Sequence, residues 1–231
     1  MGFLIKVAGK ELKDIELYLK IAVENIIDGK LIAFPTDSVY GIGGDPQNLD
    51  VINRIYDIKF RDKKKGFLLL ISDYEEALKI AEFNDIAKKL AKKYWPGQLT
   101  LILKKRESGF ILPEVTAFKN TIGLRVPGNE IILNILKLLK EKEHFPCIIG
   151  TSANYSGEHP SISGEEVTKK LLSPIDLIID GGKSKSRLPT TIIDCTTPQI
   201  QFLRIGEISK EEILEYLSLN HIQIEKAEID E

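Results

Sequence analysis

An α/β domain built on a mixed, twisted open sheet is the fold class this chain predicts. Three observations carry that prediction. Stripes of apolar residues at helical spacing alternate with short apolar runs, several strand-like segments follow one another near the C-terminus, and 43% of the 231 residues are hydrophobic. A chain of this length can bury roughly 70% of its unfolded surface and needs no disulfide scaffold.

Taken in order, residues Glu11 to Asp28 place Ile15, Tyr18, Leu19, Ala22, Val23 and Ile26 on one helical face, closed by Gly29. Leu31 to Phe34 reads as a short buried strand, and Pro35 to Gly44 as a loop. Leu49 to Ile58 is helical by the spacing of Ile52, Ile55, Tyr56 and Ile58, and Phe67 to Ile71 is a strand. Ser72 with Glu75 has the form of a capping box for the next helix; Asn84 to Tyr94 is another, stopped by Pro96-Gly97. Strands at Leu99 to Leu103 and Thr121 to Val126, a helix from Asn129 to about Lys140, and a strand at Cys147 to Gly150 follow. Ser163 with Glu166 caps a helix to Leu172. Strands at Leu177 to Ile179, Thr191 to Ile193 and Ile200 to Leu203 lead to a helix opened by Ser209 and Glu212. The segment after Asn220 is acidic and reads as a peripheral strand or a loose end.

The charge balance, 32 basic against 34 acidic residues for a net −2, excludes a protein that coats nucleic acid or anionic membrane with its whole surface, though not one with a local basic groove. The longest apolar run, Phe67 to Ile71, is far below the roughly 18–20 residues that span a bilayer. Without a signal-peptide pattern at Met1 to Lys6, a cytoplasmic protein is expected. Cys147 and Cys195 stand apart in apolar or β-branched stretches, as buried thiols do. His144, His159 and His221 are equally isolated, so no protein-held metal is expected.

Four segments hold more glycine, proline and polar residues than turns require: 35–44, 59–66, 150–157 and 181–191. The first follows a strand and combines hydroxyls with glycines that permit close backbone approach. It is neither a Walker A loop nor a dinucleotide fingerprint. The second gathers Lys59, Arg61, Lys63, Lys64 and Lys65, either as a solvated basic turn or as cations converging on a triphosphate. Lys88, Lys89, Lys92 and Lys93, by contrast, fit a solvated helix face. The third couples Ser152 and Asn154 after an apolar strand, in an Asx or Ser turn or in a site for phosphate or ribose oxygens. Arg125 sits within a strand, where its burial calls for an anionic ligand or a buried carboxylate. No nucleophile–histidine arrangement stands out, and many cations and hydroxyls with few nucleophiles suit phosphoryl or nucleotidyl transfer by positioning and charge neutralisation.

Pro35-Thr36-Asp37-Ser38-Val39-Tyr40-Gly41, Lys59-x-Arg61 with Lys65-Gly66, Tyr94-Trp95-Pro96-Gly97, Gly123-Leu124-Arg125-Val126-Pro127 and Thr151-Ser152-Ala153-Asn154-x-Ser156-Gly157 occur in this order. The chain thereby resembles the YrdC-like (TsaC) threonylcarbamoyl-AMP synthases from about Ile15 to Gly206. The resemblance implies one YrdC-like domain over 1–231, with a core of about 15–206 and a C-terminal helix and acidic tail in 207–231. The short form is implied, because the roughly 25 residues after Gly206 cannot supply the longer branch's extra domain. It implies a twisted mixed parallel and antiparallel sheet with flanking helices and a basic concave cavity.

The implied activity is that of a nucleotidyltransferase: L-threonine, bicarbonate and ATP give threonylcarbamoyl-AMP and pyrophosphate, for the t6A modification of tRNA, with Mg2+ carried by ATP. By motif, Lys59 and Arg61 are the implied catalytic cations; with Lys65, Thr121, Ser152, Asn154, Ser163 and Arg204 they hold ATP. Ser38, Arg125 and Thr190 are the implied threonine contacts. Around Pro160 to Ser163 the spacing is one residue longer than in relatives, so either Ser161 or Ser163 takes the ATP-contacting place. Pro is usual where Asp62 stands, and Ser where Thr190 stands. The implied partners are the substrates and tRNA, reached directly or through a threonylcarbamoyl-transferase complex, for a monomer or homodimer with no membrane contact. The alternatives are a non-catalytic RNA-binding module using the same basic cavity and the related domain of hydrogenase-maturation carbamoyltransferases, which lacks support here because no zinc-finger cysteines are present.

Overall fold

The computed structural model describes residues 2–107, 111–171 and 175–219. Among the described residues the order is β1 (Phe3–Lys6), α1 (Leu12–Ile27), β2 (Ile32–Phe34), β3 (Gly41–Gly43), α2 (Leu49–Lys59), β4 (Leu68–Ile71), α3 (Tyr74–Ile80), β5 (Ala81–Glu82), α4 (Asp85–Tyr94) and β6 (Leu99–Lys105). A 3-10 turn (Pro113–Thr116) then precedes β7 (Thr121–Arg125), α5 (Glu130–Glu141), β8 (Cys147–Ser152), α6 (Gly164–Lys170), β9 (Leu177–Asp180), β10 (Thr191–Asp194), β11 (Gln201–Arg204) and α7 (Lys210–Leu219). The strands join in one sheet in the order β1-β9-β2-β3-β8-β4-β7-β6-β10-β11, with β5 added beside β6. Parallel pairs such as β4/β7 and β6/β10 alternate with antiparallel ones such as β4/β8 and β6/β7, so the expected mixed open sheet is present.

Strand alternation sorts the side chains into two layers. Leu69, Ile71, Leu101, Leu103, Ile122, Leu124 and Ile193 share a core with Ile52 and Ile55 of α2, Ala77 and Ile80 of α3, and Leu90 of α4. One residue out of phase, Ile32, Phe34, Leu70 and Ile148 pack beneath Ile15, Leu19 and Val23 of α1 and Ile132, Ile135 and Leu139 of α5. Farther along the sheet, out-of-phase residues of β6, β7 and β10 floor a cavity instead.

Four local readings change. The segment read as one loop, Pro35 to Gly44, contains β3, which pairs antiparallel with β2 and β8. Glycine conceals this strand because it carries little strand propensity; here it is required, since a Cβ on Gly43 would stand 1.6 Å from the Ile149 carbonyl oxygen. β1 was not expected; its four residues gain their place only by pairing with β9. The α3 cap is Asp73, whose carboxylate accepts the Glu76 N–H at 2.8 Å, while Ser72 donates to Asp73. β8 runs on to Ser152, which places Thr151 and Ser152 within the sheet rather than in the loop.

The caps at Ser163 and Ser209 form as expected, accepting from Glu166 and Glu212 N–H. Both cysteines are buried free thiols, and burial pushes the Cys195 thiol up to about 12. No helix among the described residues is long and apolar enough to cross a membrane. Leu172 and the acidic segment after Asn220 lie outside the described residues. Gly43→Ala should destabilise the protein by about 3 kcal/mol, read as a lowered midpoint in urea denaturation; an unchanged midpoint would show that β3 is not clamped between its neighbours.

Candidate active site

The cavity, about 430 Å³, opens on the sheet face that α1 and α5 leave to the loops. Alternate residues build its floor: Thr121, Gly123 and Arg125 from β7, Thr100 and Ile102 from β6, Ile192 and Asp194 from β10, and Leu68 and Leu70 from β4. Ser38, Arg61, Ser152, Thr190 and Arg204 join them from the surrounding segments. Seven of the residues singled out in sequence, Ser38, Arg61, Thr121, Arg125, Ser152, Thr190 and Arg204, therefore meet in one space.

Arg125 is the most constrained of them. Its side chain is 5% exposed and donates from Nε to the Gly97 carbonyl at 2.9 Å, from one terminal nitrogen to Ser38 Oγ at 3.1 Å, and from the other to Asp37 Oδ1 at 2.5 Å. Of the two partners that burial of this arginine called for, the structure supplies the carboxylate, Asp37. Asp37 Oδ1 also accepts the Gly128 N–H at 2.9 Å, and Gln98 donates to the Asp37 carbonyl at 2.8 Å. The Tyr94-Trp95-Pro96-Gly97 motif thus acts as the bracket for Arg125: Trp95 Nε1 donates to the Leu99 carbonyl at 2.7 Å and Gly97 N–H to the Val126 carbonyl at 2.9 Å. Burial lowers the guanidinium pKa while Asp37 opposes that shift. Three of the fork's five N–H groups are spent in these bonds, so two remain for a ligand. Thr36 Oγ1 donates to the Val39 carbonyl at 2.7 Å, so the proton shared with Ser38, 3.0 Å away, comes from Ser38. Ser38 Oγ therefore retains a lone pair.

Positive charge is crowded elsewhere in the cavity. Arg61 Nε and a terminal nitrogen donate to the Lys65 and Gly66 carbonyls at 3.1 and 2.6 Å, and its guanidinium lies 5.1 Å from the centre of the Phe67 ring. Arg204 donates to the Thr190 carbonyl and to Thr190 Oγ1, both at 2.9 Å, and Thr190 Oγ1 lies 2.9 Å from Thr100 Oγ1. Burial lowers the pKa of both arginines, and the charge of Arg125 lowers that of Arg204 further. Against Arg61, Lys119, Arg125 and Arg204 the lining carries one carboxylate, Asp194, and this surplus of positive charge favours an anionic occupant.

The remaining sequence candidates do not line the cavity. Lys59, 2% exposed, donates to the Ser152 carbonyl and to the Asn154 carbonyl at 2.6 Å, bracing the end of β8 rather than lining the cavity. Burial and then the charge of Arg61 bring its ammonium down to about 7. Asn154 donates to the Tyr155 and Glu158 carbonyls, and its buried Oδ1 has no partner among the described residues. Lys65 is exposed. Between the two serines, Ser163 is spent as a helix cap, whereas Ser161 is fully buried with an unpartnered Oγ beside Ala153. Sequence reasoning missed Lys119 and Thr100, which line the cavity, and Asp37 as the partner of Arg125. Lys119 was accessible through alternation, since it shares the two-residue period of Thr121, Gly123 and Arg125.

Residues 24–206 match the family model Sua5_yciO_yrdC, described as telomere recombination. The chain is 35% identical over 200 residues to the threonylcarbamoyl-AMP synthase of Pyrococcus abyssi, covering 86% of this chain and 56% of that protein; it thus spans little more than half the length of that relative. The threonylcarbamoyl-AMP synthase of Idiomarina loihiensis is 31% identical over 182 residues, covering 78% of this chain and 94% of that protein. The crystal structure of Pyrococcus abyssi Sua5 complexed with L-threonine superposes with a TM-score of 0.83 at 33% identity, covering 96% of this chain and 62% of that one.

Asp37→Ala should cost about 3–5 kcal/mol, because it leaves a buried guanidinium unpaired; urea denaturation will read this, and a loss under about 1 kcal/mol would mean Arg125 is solvated in solution. Lys59 has a folded-state pKa of about 7 against an ordinary 10.5, so between these values the unfolded chain binds more protons and the group's contribution to stability rises with pH. The stability of the wild type relative to Lys59→Met should accordingly increase from pH 7 to pH 10 in paired denaturation series, and a flat difference would contradict the shift.

Proposed function

The chain belongs to the Sua5/YciO/YrdC family, and from that premise we propose that it is a threonylcarbamoyl-AMP synthase, a nucleotidyltransferase that joins L-threonine, bicarbonate and ATP into threonylcarbamoyl-AMP with release of pyrophosphate. The observation that carries this reading is a single cavity holding both an amino-acid-sized polar pair, Arg125 with Ser38, and a separate set of cations, Arg61, Lys119 and Arg204. The two spare N–H groups of Arg125 suit a carboxylate. The spare lone pair of Ser38 suits the amine beside it.

The chemistry needs no protein nucleophile. The threonine amine takes up bicarbonate with loss of water to give a carbamate, whose oxygen attacks the α-phosphorus as pyrophosphate departs. Arg61, Lys119 and Arg204 neutralise charge that grows on the phosphate oxygens. Lys59 acts from behind, holding the Ser152 and Asn154 carbonyls and so placing the end of β8. Mg2+ enters with ATP as part of the substrate. The product would serve tRNA modification, with transfer to tRNA falling to another protein. The relatives named as synthases, together with a cavity of small-molecule size, favour this reading over an RNA-binding module.

Purified protein given threonine, bicarbonate and MgATP should form threonylcarbamoyl-AMP, identified by mass spectrometry, and should form far less with serine. Lys59→Ala and Arg61→Ala should each abolish threonine-dependent pyrophosphate release. Near-normal turnover in both variants would refute the assignment.

A further inference from the structure

Tyr40 is fully buried, and its hydroxyl and backbone join the segment of Ser38 to the segments that follow β8 and β9. Its N–H donates to the Ser161 carbonyl at 2.9 Å and its carbonyl accepts from Ala153 N–H at 2.8 Å, which fixes it to the segment that follows β8. Its hydroxyl donates toward the Gly182 carbonyl at 2.7 Å, with Asp180 Oδ1 at 3.1 Å, and accepts the Gly181 N–H at 3.0 Å. Asp180 Oδ1 in turn accepts the N–H of Gly182 at 3.0 Å and of Gly164, the first residue of α6, at 3.1 Å. The fit around Asp180 is close: a Cβ on Gly164 would stand 2.6 Å from the Asp180 Cβ. Gly182 turns the chain with φ of 84°, and the segment it opens ends at Thr190. Two residues before Tyr40 stands Ser38.

We propose that Tyr40 is a positioning residue for the amino-acid substrate, tying the segment that carries Ser38 to those that carry Ser152 and Thr190, with Asp180 as the anchor on the far side. This rests on the synthase reading given above. Ser38 and Thr190 reach the cavity from loops with no strand pairing of their own at those residues; each meets the floor through a side chain, Ser38 at Arg125 and Thr190 at Thr100, and the course of the loops around those contacts depends on what joins them. The Tyr40 hydroxyl is a side-chain contact that bridges them, and it is satisfied on both its donor and acceptor sides. Removing it leaves the Gly181 N–H and Gly182 carbonyl without that partner, while the ring keeps its volume in the core. The amino-acid contacts then lose their spacing, whereas Arg61 and Lys119, on the approaches to β4 and β7, and Arg204 of β11, whose backbone is paired with Ile192, keep their places.

The test is Tyr40→Phe assayed for threonylcarbamoyl-AMP formation with either threonine or ATP varied, beside amide hydrogen exchange of the same protein. The expected result is a threonine KM raised about tenfold, with the ATP KM and kcat at saturating threonine within about twofold of wild type. Exchange at the Gly181 amide should be faster by about tenfold. Asp180→Ala should reproduce the threonine defect, and Asp180→Asn, which keeps an acceptor oxygen for Gly164 and Gly182, should restore most of it. The proposal is overturned if the two KM values rise together, if the threonine KM is unchanged, or if Gly181 exchange is unaltered. A wild type that forms no threonylcarbamoyl-AMP would bring down the synthase reading and the proposal with it, an outcome distinct from an active wild type whose Tyr40→Phe variant shows no split.

Discussion

A guanidinium cannot be buried in a sheet without a counter-charge, and the geometry around the cavity follows from how Arg125 obtains one. Its strand, β7, runs between β4 and β6, so the carboxylate must come from outside the sheet. The chain supplies Asp37 from the turn between β2 and β3, and in doing so brings Ser38 and Thr36 over the floor. The same carboxylate oxygen takes up the Gly128 N–H just after β7, while the turn ahead of β6 contributes the Gly97 carbonyl. Three separate stretches are thereby held to one side chain. Breaking such a pair is far costlier than the pair itself is stabilising, because a lone buried charge remains, and this makes the arrangement a positional device more than a source of stability.

The other cations are handled differently. Arg61, Lys59 and Arg204 place their donors on backbone carbonyls and, for Arg204, also on the Thr190 hydroxyl, which orient them with no carboxylate in contact among the described residues. Each feels burial, and Lys59 and Arg204 also feel a neighbouring arginine. A near-neutral chain, −2 overall, can hold such a concentration because acidic side chains are spread over exposed helices, where they pair with lysines such as Lys20 and Lys88. The total charge describes the surface; the cavity depends on where the uncompensated part is collected.

The long helices and the apolar strands were readable because their periods repeat over enough residues to stand out, as in α1 and α5. β3 was not, since three residues of Gly-Ile-Gly offer no period and become a strand only when β2 and β8 close on both sides. β1 likewise exists through its partner. Within the cavity, Arg61, Arg125 and Ser152 could be picked out as polar groups in unusual places or in motifs. The role of Lys59 could not, because a lysine in a run of lysines looks solvated, and only the carbonyls of a strand remote in sequence turn it inward. The choice between Ser161 and Ser163 was equally a matter of tertiary structure: one faces its own helix, the other lies beneath Ala153.

The two-residue alternation that separates core from cavity has a bearing on how such a site can change over time. Leu124 sits in the core and its neighbours Gly123 and Arg125 in the floor, on a single short strand. A slip of one residue would put a leucine in the ligand space and an arginine among the helices. The floor is therefore locked to the packing on its reverse side and is free to vary only by side-chain exchange at fixed positions. Variation in what the cavity accepts has to come from the polar segments at its edge, which touch the core at few points and can alter in length and composition without disturbing the sheet.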